Sequence, residues 1–324
     1  MRRILDIVLA SALLCACGVS CGPKKAAAPV ASERVAFPKV SIPTICDTPE
    51  KRAEYLTMHF WDAFFALSGK TDSANILGVA DAELEESLAL FITSLDIVSE
   101  QTADRAMSKF FSLLERKQLS DTAAFHYLRM TEKVSHYLYD PNSPYRDEDL
   151  YLPFVKGMAA SPCTREDMRP AYRYETENCS ICRKGTVAPD FKVKTISGGI
   201  FTLHSIKAKR TLLFFSNPGC KACKEIIDQV QGSAGAQQAI ANGDLAVVNV
   251  YIDEDLKAWR EYEHNYPKTW HTGYDLAHVI RGERLFDVRA IPSIYLLDSD
   301  KKVLLKDAPI ERVFKYLDRQ SQNP

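Results

Sequence analysis

Two cysteines spaced three residues apart, Cys220 and Cys223, limit strongly which chemistry this sequence can support. They stand between the apolar run TLLFF (211–215), typical of a buried strand, and the run KEIIDQV (224–230), typical of a helix. A helix N-terminus stabilises a thiolate because its N–H groups are unpaired and its dipole is positive there. We therefore predict that Cys220 is a nucleophile. Cys223, one helical turn further on, would attack the mixed disulfide formed at Cys220.

Charged residues lie close to this pair in the sequence. Lys221 and Lys224 should favour the Cys220 thiolate, and Glu225 should weakly oppose them. At a surface each such charge is worth about 0.3–1 kcal/mol, or at most ~20 mV for a two-electron couple. Neighbouring charge alone therefore does not decide whether the pair acts as a reductant or an oxidant.

The sequence pattern changes from helical to alternating near residue 185. Residues 46–165 carry helical spacings of apolar residues, and we predict about five helices packed as an all-α bundle, with HFWDAFF (59–65) in its core. We predict that residues 166–184 form a charged joint between the two parts of the chain. Residues 185–324 alternate strand-like and helix-like runs, which predicts an α/β sheet with helices on both faces. A chain of 324 residues is consistent with two domains.

The first residues have the layout of an export signal. Arg2 and Arg3 precede the short apolar run ILDIVLASALLCAC (4–17), which is too short to span a bilayer. We predict a signal peptide over residues 1–17, followed by an Ala- and Pro-rich tether over 18–45.

The end of this signal resembles that of bacterial lipoproteins. Leu14 and Ala16 stand three and one residues before Cys17, which this resemblance implies is the lipid-bearing first residue of the mature protein. Two alternatives stay open: lipidation at Cys21, and an ordinary cleaved signal whose cysteines are incidental. We expect an exported protein in each case.

Composition argues against nucleic-acid binding. The net charge is −1, and no basic stripe interleaved with aromatic residues occurs.

Three stretches together resemble one enzyme family. VAPDF (187–191), LLFFSNPGCKAC (212–223) and VRAIPSIYLLDSDKKV (288–303) are similar to the entry strand, redox motif and cis-proline strand of thioredoxin-like, membrane-tethered thiol-disulfide oxidoreductases. TPEKRAEYLTMHFWDAFF (48–65) resembles the domain of unknown function that precedes such domains in lipoproteins of the Bacteroides group. The second resemblance implies architecture and no mechanism.

The first resemblance also implies roles for residues. Pro292 would form a cis peptide bond with Ile291 and leave the backbone there free to pair with a substrate peptide. Pro218 and Gly219 would also contact the substrate. Two positions depart from the family: Gly219 replaces a common aromatic residue, and Phe214 replaces a buried acid or amide, so proton transfer to the pair has no evident assistant.

The remaining cysteines and histidines suggest neither a metal nor a cofactor. Cys179 and Cys182 form a second Cys-x-x-Cys pair, but it lies much further from Cys220 than the ~15–20 residues of a zinc ribbon. We consider a local structural disulfide or an electron relay for this pair, and a disulfide between Cys46 and Cys163 that closes the bundle. Three histidines are separated along the chain by seven residues each, and a proline interrupts the first interval: His264, His271 and His278.

Three functions compete. We favour a thiol-disulfide oxidoreductase that reduces protein disulfides, anchored by lipid in the cell envelope with its thioredoxin-like domain facing the periplasm. Its partners would be disulfide-bearing proteins and an upstream thiol donor. Peroxiredoxins share APDF, but Asn217 and Leu213 occupy the places of their hydroxyl residue and proline. The alternative is a binding module whose bundle captures a partner while Cys220 and Cys223 form an inert staple.

Overall fold

The computed structural model describes residues 34–322, with side chains up to residue 319. The predicted signal, Cys17 and Cys21 lie outside the described residues. Between residues 34 and 322, no helix combines the length and apolar character needed to cross a membrane.

The N-terminal part is a helical domain with one small hairpin. Thr48 caps its first helix by accepting a hydrogen bond from the backbone N–H of Lys51 at 3.2 Å, and Pro49 occupies the first turn. The elements in chain order are α1 (Pro49–His59), α2 (Asp62–Phe65), β1 (Asn75–Ile76), β2 (Val79–Ala80), α3 (Asp81–Leu95), α4 (Glu100–Ser120), α5 (His126–Leu138), α6 (Glu148–Ala160) and α7 (Arg169–Cys179).

Aromatic side chains fill the centre of this domain. Trp61 stacks on Phe110 of α4 with ring centroids 4.4 Å apart, and Phe64 is fully buried beside them. Aromatic pairs in this geometry contribute about 0.5–1.5 kcal/mol beyond the burial of their area. The prediction that HFWDAFF lies in the core is confirmed.

The segment predicted as a joint contains a helix. α7 spans most of residues 166–184 and packs along α6, and its last residue, Cys179, is fully buried in the helical core. Pro170 stands in the first turn of α7, where its missing N–H costs no hydrogen bond. The helical domain therefore extends to residue 179.

The C-terminal part is a seven-stranded mixed sheet in the order β4-β3-β7-β6-β5-β8-β9. Its strands are β3 (Lys192–Lys194), β4 (Ile200–Thr202), β5 (Arg210–Phe215), β6 (Leu245–Tyr251), β7 (His271–Asp275), β8 (Ser293–Asp298) and β9 (Val303–Leu305). Its helices are α8 (Lys221–Gly232), α9 (Ala234–Ala241), α10 (Leu256–Tyr262), α11 (Val279–Gly282) and α12 (Ile310–Gln322). Strand β7 was not predicted.

Both faces of this sheet are covered, as the predicted fold class requires. Along β5, Leu212 and Phe214 point to the apolar cluster that includes residues of α8 and α12, while Leu213 and Phe215 point to the opposite cluster beneath α11. All four side chains are buried, so the central strand has no solvent-facing side. The fold is confirmed as a helical domain followed by a thioredoxin-like α/β domain.

Candidate active site

Strand register brings the cysteine pair and Pro292 to one end of the sheet. Phe215, the last residue of β5, pairs with Ser293, the first residue of β8. The loop that leads to Cys220 therefore leaves the sheet beside the segment that ends in Pro292. The Ile291–Pro292 peptide bond is cis, and Ile291 packs against the apolar clusters on both faces of the sheet.

The two sulfur atoms differ in their access to solvent. Cys220 is the N-cap of α8 and is half-buried, whereas Cys223, in the first turn, is 2% exposed. The two residues form a disulfide, and the Cys220 Sγ also accepts a hydrogen bond from the backbone N–H of Cys223 at 3.1 Å. After reduction, the same helix N-terminus would stabilise a thiolate at Cys220. An incoming disulfide would thus meet Cys220 first, and Cys223 is sheltered behind it.

Pro218 and Gly219 form the turn between β5 and α8. Pro218 is half-buried and Gly219 is exposed, with a φ of +71° in the left-handed region. The turn therefore presents backbone and the proline ring, with no large side chain, on the solvent side of Cys220. These two residues, with Ile291 and Pro292, remain predicted substrate contacts.

Surface charges near the pair are matched by opposite charges. Lys221 lies 3.8 Å from Glu225, and Lys224 lies 2.5 Å from Asp228, each pair being one helical turn apart on α8. All four side chains are largely exposed, so water and salt screen them further. Asp228 therefore adds to the partial cancellation expected from Glu225 alone.

A buried polar cluster that the sequence analysis missed lies at the end of β5. The hydroxyl of Ser216 donates to Asn249 Oδ1 at 2.6 Å, and its oxygen lies 3.1 Å from the hydroxyl of Tyr266. All three residues are buried, and burial raises the pKa of the Tyr266 hydroxyl, which stays protonated at neutral pH. In the sequence, Asn249 could have indicated this cluster, because it is an amide inside the otherwise apolar run LAVVNVY.

The next residue of the redox loop is held by a second set of polar contacts. Asn217 donates from Nδ2 to Asp253 Oδ2 at 2.5 Å, and Asp253 is in turn 3.0 Å from the guanidinium of Arg281. Together with the cluster at Ser216, these contacts tie the loop to β6, to the segment that follows β6 and, through Asp253, to α11. They orient the loop and place no ionised side chain in contact with a cysteine sulfur.

Four of the remaining cysteines are free thiols, which corrects both predicted structural disulfides. Cys179 packs in the core of the helical domain, whereas Cys182 packs against the sheet and has its Sγ 3.0 Å from the Leu285 carbonyl oxygen. Burial raises the pKa of both thiols, that of Cys182 to about 11. Cys46 precedes α1, which packs on α3 and α4, whereas Cys163 follows α6.

The three histidines lie on different elements. His264 is in a 3-10 helix, His271 begins β7, and His278 precedes α11. Within residues 34–322, no group of three or more His, Cys, Asp or Glu side chains is placed to hold a metal ion.

Comparison with known proteins matches both parts of the chain. The family model described as a domain of unknown function (DUF5106) matches residues 19–179, and the model of the AhpC/TSA family matches residues 184–306. A crystal structure of a thioredoxin-like protein from Bacteroides caccae is 35% identical and has a TM-score of 0.72, covering 87% of this chain and 98% of that one.

A curated relative supports the second match. The thioredoxin-like protein YneN of Bacillus subtilis is 28% identical over 138 residues, which cover 41% of this chain and 75% of that protein. With the Bacteroides caccae structure, which is similar over nearly its whole length, these matches establish the family. The chain belongs to the thioredoxin-like proteins, with a DUF5106 domain that precedes a thioredoxin-like domain of the AhpC/TSA family.

Proposed function

We propose that this protein is an exported, lipid-anchored thiol-disulfide oxidoreductase that reduces disulfides in other proteins. The observation that carries the proposal is the arrangement of the cysteine pair. Cys220 is the half-exposed N-cap of α8, and the buried Cys223 is within disulfide distance of it. Pro292, in its cis peptide bond, lies at the same end of the sheet.

The proposed reaction proceeds by two exchanges. The Cys220 thiolate attacks one sulfur of a substrate disulfide, and the other substrate sulfur leaves as a thiolate that takes a proton from water. Cys223 then loses its proton and attacks Cys220, which releases the second substrate thiol and leaves the Cys220–Cys223 disulfide. The substrate has gained two electrons. An upstream thiol donor returns two electrons to the pair and completes the cycle.

The proposed direction of the reaction is supported by the family resemblance and not by local charge. Because the two lysines of α8 are each paired with a carboxylate, they do little to stabilise the reduced form. The membrane-tethered relatives that the sequence resembles mostly act as reductants, so we propose the same here. Equilibration with glutathione buffers should give a potential near the thioredoxin value of about −270 mV, and one near −120 mV would contradict the proposal.

Insulin reduction with dithiothreitol tests the assignment of the nucleophile. The Cys220→Ser variant should be inactive, because no thiolate remains at the helix N-terminus. Cys163→Ser is the matched control, since it removes a free thiol of the helical domain and should keep the parental rate. A Cys220→Ser variant as fast as the parent would show that the assignment is wrong.

Alkylation separates this function from a binding module with an inert disulfide. After mild reduction, Cys220 should react rapidly with iodoacetamide near neutral pH, because its sulfur is accessible and its thiolate is stabilised. Slow reaction at Cys220, comparable with that of the buried Cys179, would favour the binding module.

Mass spectrometry of the mature N-terminus tests the anchor. We expect a diacylated Cys17 as the first residue, which would hold the protein in the cell envelope. An unmodified N-terminus beyond Cys21 would leave an exported protein without a lipid anchor.

A further inference from the structure

The segment that leads into Pro292 is held by the helical domain. Residues 287–292 lie in neither a helix nor a strand, so no hydrogen-bonded ladder fixes their backbone. Arg289, in the middle of this segment, has a side chain that is 16% exposed and reaches the helical domain. It donates to the Tyr139 carbonyl oxygen at 2.5 Å and to Glu148 Oε1 at 2.8 Å, and its guanidinium lies 3.8 Å from the centre of the Tyr139 ring.

Glu148 is itself fixed on its other side. It is 2% exposed, and its Oε2 lies 2.6 Å from the ammonium of Lys306, which is 1% exposed. Lys306 also donates to three backbone carbonyl oxygens at and after the end of α7: those of Asn178, Cys179 and Ile181. Because Glu148 and Lys306 are both withdrawn from water, their ion pair holds the carboxylate in a defined position beside Arg289.

We infer that Glu148 and Tyr139 of the helical domain are positioning residues for disulfide exchange, since they hold Arg289 and thereby fix the Ile291–Pro292 backbone that receives the substrate peptide. The inference rests on the proposed function and gives the helical domain a part in it. An arginine suits this position because its planar fork can bond two oxygens and stack on a ring at once, which a lysine cannot do.

Arg312 provides a matched control for this contact. It also joins the two domains, with its guanidinium 2.9 Å from Asp96 and 2.6 Å from Asp147. It belongs to α12, however, and not to the segment before Pro292. Arg289→Lys and Arg312→Lys therefore each weaken one interdomain arginine contact while keeping its charge, and only the first acts on the segment.

Steady-state kinetics with two substrates tests the inference. With a disulfide-bridged peptide, Arg289→Lys should raise KM about fivefold with little change in kcat, because a charge-assisted hydrogen bond that holds the binding backbone is weakened. With dithiobis(nitrobenzoate), which has no peptide backbone to pair with Ile291, its rate should stay within about twofold of the parent. Arg312→Lys should match the parent on both substrates.

Tyr139→Leu is a second variant for the case in which Arg289→Lys folds poorly. It removes the ring beneath the guanidinium and keeps the carbonyl oxygen that accepts from Arg289, so it should raise the peptide KM by a smaller factor. The inference is overturned if Arg289→Lys raises the peptide KM no more than Arg312→Lys does, or if it slows both substrates equally.

Amide hydrogen exchange gives a readout that does not depend on activity. In Arg289→Lys, the peptides that cover residues 287–293 should exchange faster than in the parent, and in Arg312→Lys they should not. Unchanged exchange in Arg289→Lys would overturn the positioning role. If the parent fails to reduce insulin but Arg289→Lys still exchanges faster than the parent over residues 287–293, the proposed function is contradicted and the positioning of this segment is not. The two failures are therefore distinguishable.

Discussion

Gly219 shows how backbone conformation selects a residue in the redox loop. The oxidoreductases that the sequence resembles commonly carry an aromatic residue at this position, directly before the first cysteine. Here the φ of +71° lies in the left-handed region, which costs a non-glycine residue roughly 1–2 kcal/mol. A Cβ at Gly219 would meet no atom within 4 Å. Conformation, and not lack of space, therefore favours glycine at the turn into α8.

Substitution of Gly219 by alanine should lower stability through conformation alone. We expect Gly219→Ala to reduce the free energy of unfolding by about 1 kcal/mol, measured by urea denaturation of the oxidised protein. Gly235→Ala is the control, because Gly235 lies in helix α9, has open space around it and no positive φ. That change should leave stability unaltered or raise it. Equal effects of the two substitutions would contradict this account.

At the scale of elements, strand β7 shows where sequence patterns fail. Its sequence HTGYD contains glycine and aspartate, two residues that are depleted in strands. The structure explains both. A Cβ at Gly273 would lie 2.5 Å from the Lys194 carbonyl oxygen, so glycine lets β3 lie alongside β7. Asp275 accepts a hydrogen bond from the Ile280 N–H at 2.8 Å, which connects the strand to α11.

A side chain at Gly273 should therefore separate two strands. We expect Gly273→Ala to lower the free energy of unfolding by about 1–3 kcal/mol, the usual cost of overpacking, and to increase amide exchange in β3 and β7. Gly199→Ala is the control, because a Cβ there would meet only the hydroxyl end of Thr195, at 3.3 Å. A Gly273→Ala variant with parental exchange in both strands would refute the close-packing explanation.

Local patterns predicted most of the elements and could not predict the contacts between distant ones. The redox pair was recognisable because an apolar strand, the cysteines and a helix follow one another directly in the sequence. The partners Ser216, Asn249 and Tyr266 lie on separate segments, and only the sheet brings them together. The predicted disulfide between Cys179 and Cys182 was wrong for the same reason. A spacing of three residues cannot reveal that the two side chains pack into different apolar clusters.

At the scale of the whole molecule, buried ions join the two domains. Where the domains meet, three ionisable side chains are buried, those of Glu148, Lys306 and Asp307, and the side chain of Arg289 beside them is 16% exposed. Removing one partner of such a network costs about 3–5 kcal/mol, because the other partner is left as an uncompensated buried charge. The network therefore favours one defined arrangement of the domains, and it makes their stability sensitive to protonation.

Asp287, in the same network, should make stability depend on pH. Burial, with the nearby charge of Glu148, raises its pKa from 3.8 to about 6, although Arg289 and Lys306 act in the opposite direction. Between these two pH values the folded protein keeps a proton that the unfolded chain has lost. The favourable contribution of Asp287 to the free energy of unfolding is therefore fully present below pH 3.8 and is lost as the pH rises through about 6.

The Asp287→Asn variant isolates this effect. Relative to the parent, its free energy of unfolding should rise between pH 4 and pH 6 by up to about 3 kcal/mol, at ~1.4 kcal/mol per pKa unit, and then stay constant. Urea denaturation of both proteins at several pH values from 4 to 7.5 measures the difference. Asp167→Asn is the control, because the hydrogen bond from Arg165 lowers the pKa of that exposed carboxylate, and its difference from the parent should therefore be independent of pH over this range. A difference between Asp287→Asn and the parent that is independent of pH would show that Asp287 is ionised in the folded protein throughout this range.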